Sequence, residues 1–194
     1  HADKEAAAKS QRWCALVTPV MKAASTHQAF HGGSDCLQVL GGHGYVREWG
    51  IEQVVRDARV AMIYEGTNEI QAIDLLVRKI MADGGQSLNL LLDDMQADSG
   101  SESAQATQLR QLTQSILKAA QRDPSVGHRV ADDYLRATAL VLMQWAWQRI
   151  DAQLNDNIAD VKTRWQAPSK AFRQWILPEF AMRSHIIETQ CEAA

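Results

Sequence analysis

The sequence predicts an all-α protein: a helical bundle followed by a second helical unit. Three observations predict it. Apolar residues recur at helical spacing along most of the chain, no period-2 alternation of useful length interrupts them, and Gly and Pro gather at short breaks. Seven of the eleven glycines fall between Gly32 and Gly66, with apolar residues at helical spacing on either side. That stretch reads as helices joined by two tight turns, built to place backbone amides and one or two side chains against something.

Residues 3–16, rich in Ala, Lys and Glu, read as a first helix. Thr18-Pro19 predicts a new start, with Thr as N-cap and Pro at the first helical position. The helix that follows runs to about Leu40 through Met21, Ala24, Ala29 and Leu37, weakened by Gly32-Gly33. Gly41-Gly42-His43-Gly44 ends it in a loop. Ile51 to Met62 is the next helix, with Ile51, Val54, Val55, Ala58 and Met62 on one face. Tyr64-Glu65-Gly66-Thr67 is the second turn, and Thr67 can cap a third helix whose face is Ile70, Ile73, Val77 and Ile80.

Ala82-Asp83-Gly84-Gly85 is a breaker, and it divides the chain into domains 1–82 and 83–194. Beyond it come a short amphipathic helix from Leu88 to Met95 and a polar loop from Asp98 to Ser103. Another helix carries Leu109, Leu112, Ile116 and Leu117 and closes at Asp123-Pro124. A long apolar helix follows over about Val130 to Trp165. It is hydrophobic nearly all round at Leu140-Val141-Leu142-Met143, which makes it central to a bundle. Pro168 is expected to break it, and Pro178 to kink or split the last helix, which begins near Ser169.

Composition bounds the partners. The chain has 194 residues, 46% hydrophobic and 22% charged, with net charge −3. Basic and acidic side chains balance at nine each in residues 1–82, and stand at eleven against fourteen in 83–194, so neither segment is a basic nucleic-acid surface. Cys14, Cys36 and Cys191 are far apart, fit no zinc spacing and point to a reducing, cytoplasmic setting. No run of eighteen apolar residues or signal-peptide core occurs. The sequence opens in helical residues without an initiator Met, so a fragment of a longer protein is expected.

Few residues carry chemistry. His27 and His31 have metal-ligand spacing, but no HExxH and no nearby third ligand, so they read as a surface or packing pair and no metal site is expected. Gly41-Gly42-His43-Gly44 lacks the dinucleotide spacing, because Arg47 stands where a glycine is needed; it is either a helix cap or a turn whose amides meet a phosphate. Arg56-Asp57 and Arg47-Glu48 read as ion pairs. Trp145, Trp147, Trp165 and Trp175 read as core rather than a stacking platform. Glu65 alone is an exposed turn carboxylate. Its setting points further: Tyr64 and Met62 as apolar neighbours would raise its pKa and make it a base, Gly66 clears space, and Thr67 and Asn68 open a helix where an anion is favoured.

The motifs QVLGGHGY, VVRDARVAMIYEGT and NEIQAIDLLVRKI together resemble the C-terminal helical domain of the acyl-CoA dehydrogenases, over roughly Ala2 to Ile80 in order and spacing. By layout, the sequence after Gly85 resembles the larger subgroup with an extra C-terminal domain, which includes methylthiopropionyl-CoA dehydrogenase-like and long-chain-type members. The resemblance implies oxidation of an acyl-CoA thioester to the trans-2-enoyl-CoA. A carboxylate takes the α-proton while the β-hydride passes to FAD. It implies that Glu65 is that base, that its backbone amide helps bind the thioester carbonyl, and that Tyr64 and Gly66 lie beside the substrate. Thr67, Asn68 and Glu69 match positions holding FAD phosphate and adenosine, although many relatives carry an amide where Glu69 stands. Gln38, Gly41 and Gly42 match the segment reaching the adenosine-diphosphate part of FAD, often on a neighbouring subunit.

The resemblance also implies fatty acid metabolism, a homo-oligomer (dimer or tetramer) and an electron-transfer flavoprotein as acceptor. In the family the flavin ring lies mainly against an N-terminal helical domain and a middle β-domain. Neither is in this sequence, so the chain alone is expected to bind FAD poorly and not to turn over. Two other readings stand beside this one. A non-dehydrogenase relative could bind DNA, which the net charge of −3 opposes, or the chain could be a helical interaction module whose extension serves oligomerisation.

Overall fold

The computed structural model describes residues 2–100, 103–154 and 159–194, and among these every regular element is helical. Helix α1 runs from Ala2 to Leu40 without interruption, with Pro19 inside it. The expected helix start at Thr18-Pro19 is therefore corrected. A proline inside a helix removes one i→i−4 donor, at a cost of about 3 kcal/mol. Here the stranded carbonyl is that of Ala15, and Lys79 donates to it from 2.7 Å. Gly32 and Gly33 also remain helical, and Gly33 is buried against Val55 of the next long helix.

A short turn α2 (Gly42–Tyr45) and a 3₁₀ turn (Arg47–Trp49) lead to α3, Ile51–Ala61, which lies along α1. Helix α4 (Asn68–Ile73) continues as a π-helix over Asp74–Ile80. The break at 82–85 is a well-formed turn. The amide of Gly85 reaches the Ile80 carbonyl at 2.8 Å, and Asp83 accepts from the amides of Gly85 and Ser87.

Then come α5 (Gln86–Ser99), α6 (Ala104–Ala119) and the single turn α7 (Val126–Arg129). The polar loop expected from Asp98 begins later than predicted, because α5 runs on to Ser99 and ends at Gly100 in the left-handed region. Ser103 caps α6, accepting from the Ala106 amide. Residues 101–102 of that loop lie outside the described residues. Helix α8 (Ala131–Leu154) contacts α1, α4, α5, α6 and the last helix, as its all-round hydrophobicity predicts.

Residues 155–158, in the middle of the helix expected over 130–165, also lie outside the described residues. Helix α9 (Ala159–Ala171) contains Pro168, so the expected break there is corrected as well. The next residue, Ser169, is buried and donates to the Asp151 carboxylate of α8 at 2.9 Å, while Arg173 bonds both Ser169 and Asp151. These contacts pin the segment to α8 across the proline. A π-helical turn (Phe172–Ile176) precedes Pro178, where the chain does split, and α10 (Glu179–Glu192) follows.

One hydrophobic core runs through all of this. Leu16, Val20 and Ala23 of α1 and Leu75, Leu76 and Ile80 share it with Leu88, Leu112, Tyr134, Leu140 and Ile187. The core thus crosses residue 82. Tyr134 is fully buried and its hydroxyl lies 2.6 Å from that of Thr113; burial pushes its phenol well above the ordinary range. Trp145 and Trp147 pack on the core, but Trp165 is 39% and Trp175 79% exposed, which corrects the assignment of both to the interior.

Candidate functional site

The turn between α3 and α4 is built by its ends. The Ile63 amide bonds the Val60 carbonyl at 2.9 Å to finish α3, and the Asn68 amide reaches back to the Met62 carbonyl at 3.2 Å. Between them the chain takes two consecutive residues with positive φ, Glu65 at 55° and Gly66 at 84°. For glycine this conformation is ordinary. For Glu65, the one non-glycine residue so placed among the described residues, it costs about 1–2 kcal/mol.

Both carbonyls of that pair are held. Gln71 Nε2 donates to the Glu65 oxygen at 3.2 Å, and Lys22 Nζ to the Gly66 oxygen at 2.7 Å. A Cβ on Gly66 would lie 3.0 Å from Gln71 Nε2, so the turn admits little else there. Lys22 also reaches Asn68 Oδ1 at 3.0 Å, where the Thr26 hydroxyl donates at 3.1 Å. Asn68 Nδ2 in turn donates to the Ala23 carbonyl.

The predicted site residues fall into two places. Tyr64, Glu65, Gly66, Thr67, Asn68 and Glu69 form the turn and the first turn of α4. Thr67 is the N-cap, its hydroxyl accepting from the Ile70 amide at 3.3 Å. The hydrogen bond from Thr67 holds the exposed Glu69 carboxyl below its ordinary pKa. Asn68, expected at a cofactor contact, is buried and its side chain is spent on Lys22, Thr26 and Ala23. Gln38, Gly41 and Gly42 lie exposed at the far end of α1. At 1.5 Å per residue they stand roughly 24 Å along the helix from Lys22, so the chain does not bring the two groups into one pocket.

One expectation fails in the structure. Tyr64 is 53% exposed, Ile63 is 52% exposed and Glu65 faces solvent, so the apolar enclosure read around Glu65 is not formed by the described residues. Met62 is half-buried, its sulfur accepting from Arg59. An apolar groove of about 610 Å³ between α1 and α8 is lined by Trp13, Met21, Leu142 and Trp145, with no residue of the turn in its wall. His27 and His31 pack ring against ring at 4.2 Å; burial and the neighbouring His31 lower the His27 pKa. Among the described residues no three His, Cys, Asp or Glu side chains are grouped to hold a metal.

Residues 2–80 match the family model of the acyl-CoA dehydrogenase C-terminal domain. The chain is 35% identical over 119 residues to 3-methylmercaptopropionyl-CoA dehydrogenase of Ruegeria pomeroyi, covering 61% of this chain and 20% of that protein. It is 44% identical over 73 residues to a broad-specificity linear acyl-CoA dehydrogenase of Mycobacterium tuberculosis, covering 38% of this chain and 12% of that protein. It is 30% identical over 113 residues to acyl-CoA dehydrogenase family member 11 of Caenorhabditis elegans, covering 54% and 18%. The match thus spans a fifth or less of these relatives' length. The Ruegeria match is longer than the 2–80 segment, so it takes in sequence beyond the acyl-CoA dehydrogenase domain itself.

The sequence gives no sign of Lys22. On an amphipathic helix a lysine reads as part of the solvated face. Its partners lie more than forty residues away, and no local spacing announces them.

Proposed function

We propose that this chain is the C-terminal part of an FAD-dependent acyl-CoA dehydrogenase that oxidises an acyl-CoA thioester to the trans-2-enoyl-CoA. Residues 1–82 are its C-terminal helical domain and 83–194 an extension of the kind carried by the larger subgroup. The carrying observation is the Glu65-Gly66 turn. A non-glycine residue is kept at positive φ, with the carbonyls on both peptides tied down, and strain of this kind gathers at functional sites.

Glu65 is the base. Its carboxylate accepts the substrate's α-proton, and Gly66 leaves room for the thioester beside it. The Glu65 amide stabilises the negative charge that grows on the thioester oxygen. A thioester α-proton is a weak acid, so the base needs a drier setting than the exposed turn offers. The rest of the full-length protein supplies that enclosure, with Tyr64 and Ile63 at the contact.

Bound FAD would supply the hydride acceptor for the substrate's β-carbon. The fit of this chain to FAD is uneven. The backbone at Gly41 and Gly42 is open, since a Cβ added at either would meet nothing within 4 Å, and it suits the adenosine-diphosphate part together with Gln38. The Thr67 hydroxyl caps α4 and bonds Glu69, so it would have to turn from that carboxylate to donate to a phosphate. Glu69 puts an ionised carboxylate at the α4 N-terminus, where it opposes a phosphate, and Asn68 orders the turn instead of reaching outward. Because Gln38 stands far along α1 from Glu65, the two groups serve different FAD molecules in a homo-oligomer. Val39, Tyr45 and Trp49, each more than half exposed, lie at that contact. No helix among the described residues is long and apolar enough to cross a membrane. A cytoplasmic enzyme of fatty acid metabolism that passes electrons to an electron-transfer flavoprotein completes the reading.

The test is a screen of acyl-CoAs against the full-length protein, read as bleaching of the flavin absorbance. Bleaching by at least one acyl-CoA supports the proposal; an unbleached, flavin-loaded protein across short, long and thioether chains contradicts it. The 194-residue chain by itself should carry far less than one flavin per chain.

A further inference from the structure

We propose that Lys22 is a positioning residue for this reaction: its ammonium fixes the Glu65-Gly66 turn to α1 and so sets where the base stands. The inference rests on Glu65 being the base. The turn has two carbonyl anchors, and they differ in kind. Gln71 belongs to α4, so its bond to the Glu65 carbonyl moves with the turn. Lys22 belongs to α1, and its 2.7 Å bond to the Gly66 carbonyl joins the turn to a different part of the bundle.

The same ammonium bonds Asn68 Oδ1 at 3.0 Å, and Thr26, one helical turn on, bonds that oxygen too at 3.1 Å. Asn68 closes the clasp by donating to the Ala23 carbonyl. Lys22, Ala23 and Thr26 thus form one patch of α1 that grips the chain at Gly66 and at Asn68, just after Glu65. The Lys22 bond to Gly66 is the shortest of these contacts and carries a full charge, which makes it the strongest. Asn68 is 7% exposed, so the clasp sits in a partly dry site where a charged donor is worth more than in water. Positive φ at a non-glycine residue persists only when its surroundings enforce it. Lys22 is the enforcing group that reaches in from outside the turn.

The test uses full-length flavoprotein carrying Lys22→Met, Lys22→Gln, Lys22→Arg or Glu65→Gln. Two rates are read at saturating acyl-CoA: flavin reduction, and exchange of the substrate α-proton with solvent deuterium. Misplacing a catalytic group by about 1 Å costs roughly 100-fold, and that is the loss expected in both rates for Lys22→Met. Flavin content and the Kd for acyl-CoA should stay within about threefold, because the loss concerns the chemical step and not binding. Lys22→Arg should recover about tenfold of it, since a guanidinium keeps the charge but not the geometry.

An unimpaired Lys22→Met, or one whose rate falls only in step with lost flavin or weakened acyl-CoA binding, overturns the proposal. Loss of folding in both Lys22→Met and Lys22→Gln also overturns it, by making Lys22 a structural residue. The Glu65→Gln control separates the two claims. If it keeps α-proton exchange, the reading of Glu65 is wrong. If it is silent while Lys22→Met is normal, only the role of Lys22 fails.

Discussion

The ammonium of Lys79 lies 2.7 Å from the carbonyl oxygen of Ala15, the acceptor that Pro19 leaves without its helical donor. One side chain from the π-helical segment therefore repairs a break in a helix more than sixty residues earlier. The same ammonium pairs with Asp74 at 2.5 Å, which holds it in place.

This relationship predicts a coupling. Lys79→Met should cost about 1 kcal/mol, because it removes a charged donor and leaves the exposed Ala15 carbonyl to water. In a Pro19→Ala background the Ala15 carbonyl regains a backbone partner, and the cost of Lys79→Met should fall by about 1 kcal/mol. Urea unfolding of the four proteins in the cycle measures this; strict additivity would contradict it.

A second prediction concerns α8 and α10. Arg136 chelates Glu179 with bonds of 2.7–3.0 Å, and Arg183 joins Glu179 to Asp133. All four side chains are less than a quarter exposed. Arg136→Met removes the bidentate partner and leaves Glu179 with Arg183 alone, which should cost about 1–2 kcal/mol. A loss below about 0.5 kcal/mol would mark the pair as surface decoration.

The same groups set the response to acid. Burial pushes the Glu179 carboxyl up, but hydrogen bonds from Arg136 and Arg183 outweigh it and hold the group below its ordinary 4.5. For Asp94, burial is likewise outweighed by Lys9, Trp13 and Arg12. Asp123, bonded by Ser125 and Arg129, is pushed down to about 2. A carboxylate with a depressed folded pKa gives stability that is present above its unfolded pKa and lost as pH falls through the folded one. Unfolding free energy should thus decline from about pH 4.5 towards pH 2, and Glu179→Gln should flatten that decline. A stability that is level over this range would contradict the assignment.

A fourth prediction separates stability from function at the turn. Glu65→Gly removes the strain of positive φ and should raise the stability of the chain by about 1 kcal/mol while abolishing activity. Gly66→Ala should do the reverse to stability. At φ 84° its Cβ is strained and crowds Gln71, and a loss of about 1–2 kcal/mol is expected. Thermal unfolding checks both; a destabilised Glu65→Gly would mean that its φ carries no strain.

The helical class and both glycine turns were legible because their signals are local: apolar spacing, Thr67 as a cap, and Gly41 and Gly66 where φ is positive. Thr18-Pro19 misled for the same reason. Its residues satisfy a helix start, and only Lys79, far along the chain, lets the helix pass through. Pro168 repeats the lesson with Asp151 and Arg173. The positive φ of Glu65 was beyond reach, since glutamate does not ask for that conformation; neighbours impose it. The exposure of Tyr64 and Trp175 was equally hidden, because apolar residues read as core whatever surface they meet.

The account turns on whether residue 65 removes the α-proton, and single-turnover reduction of the flavin by acyl-CoA tests this most directly. Full-length Glu65→Gln with flavin bound should reduce at least about 10³-fold more slowly than wild type while still binding the substrate. Reduction at the wild-type rate would contradict the account and move the base elsewhere in the protein.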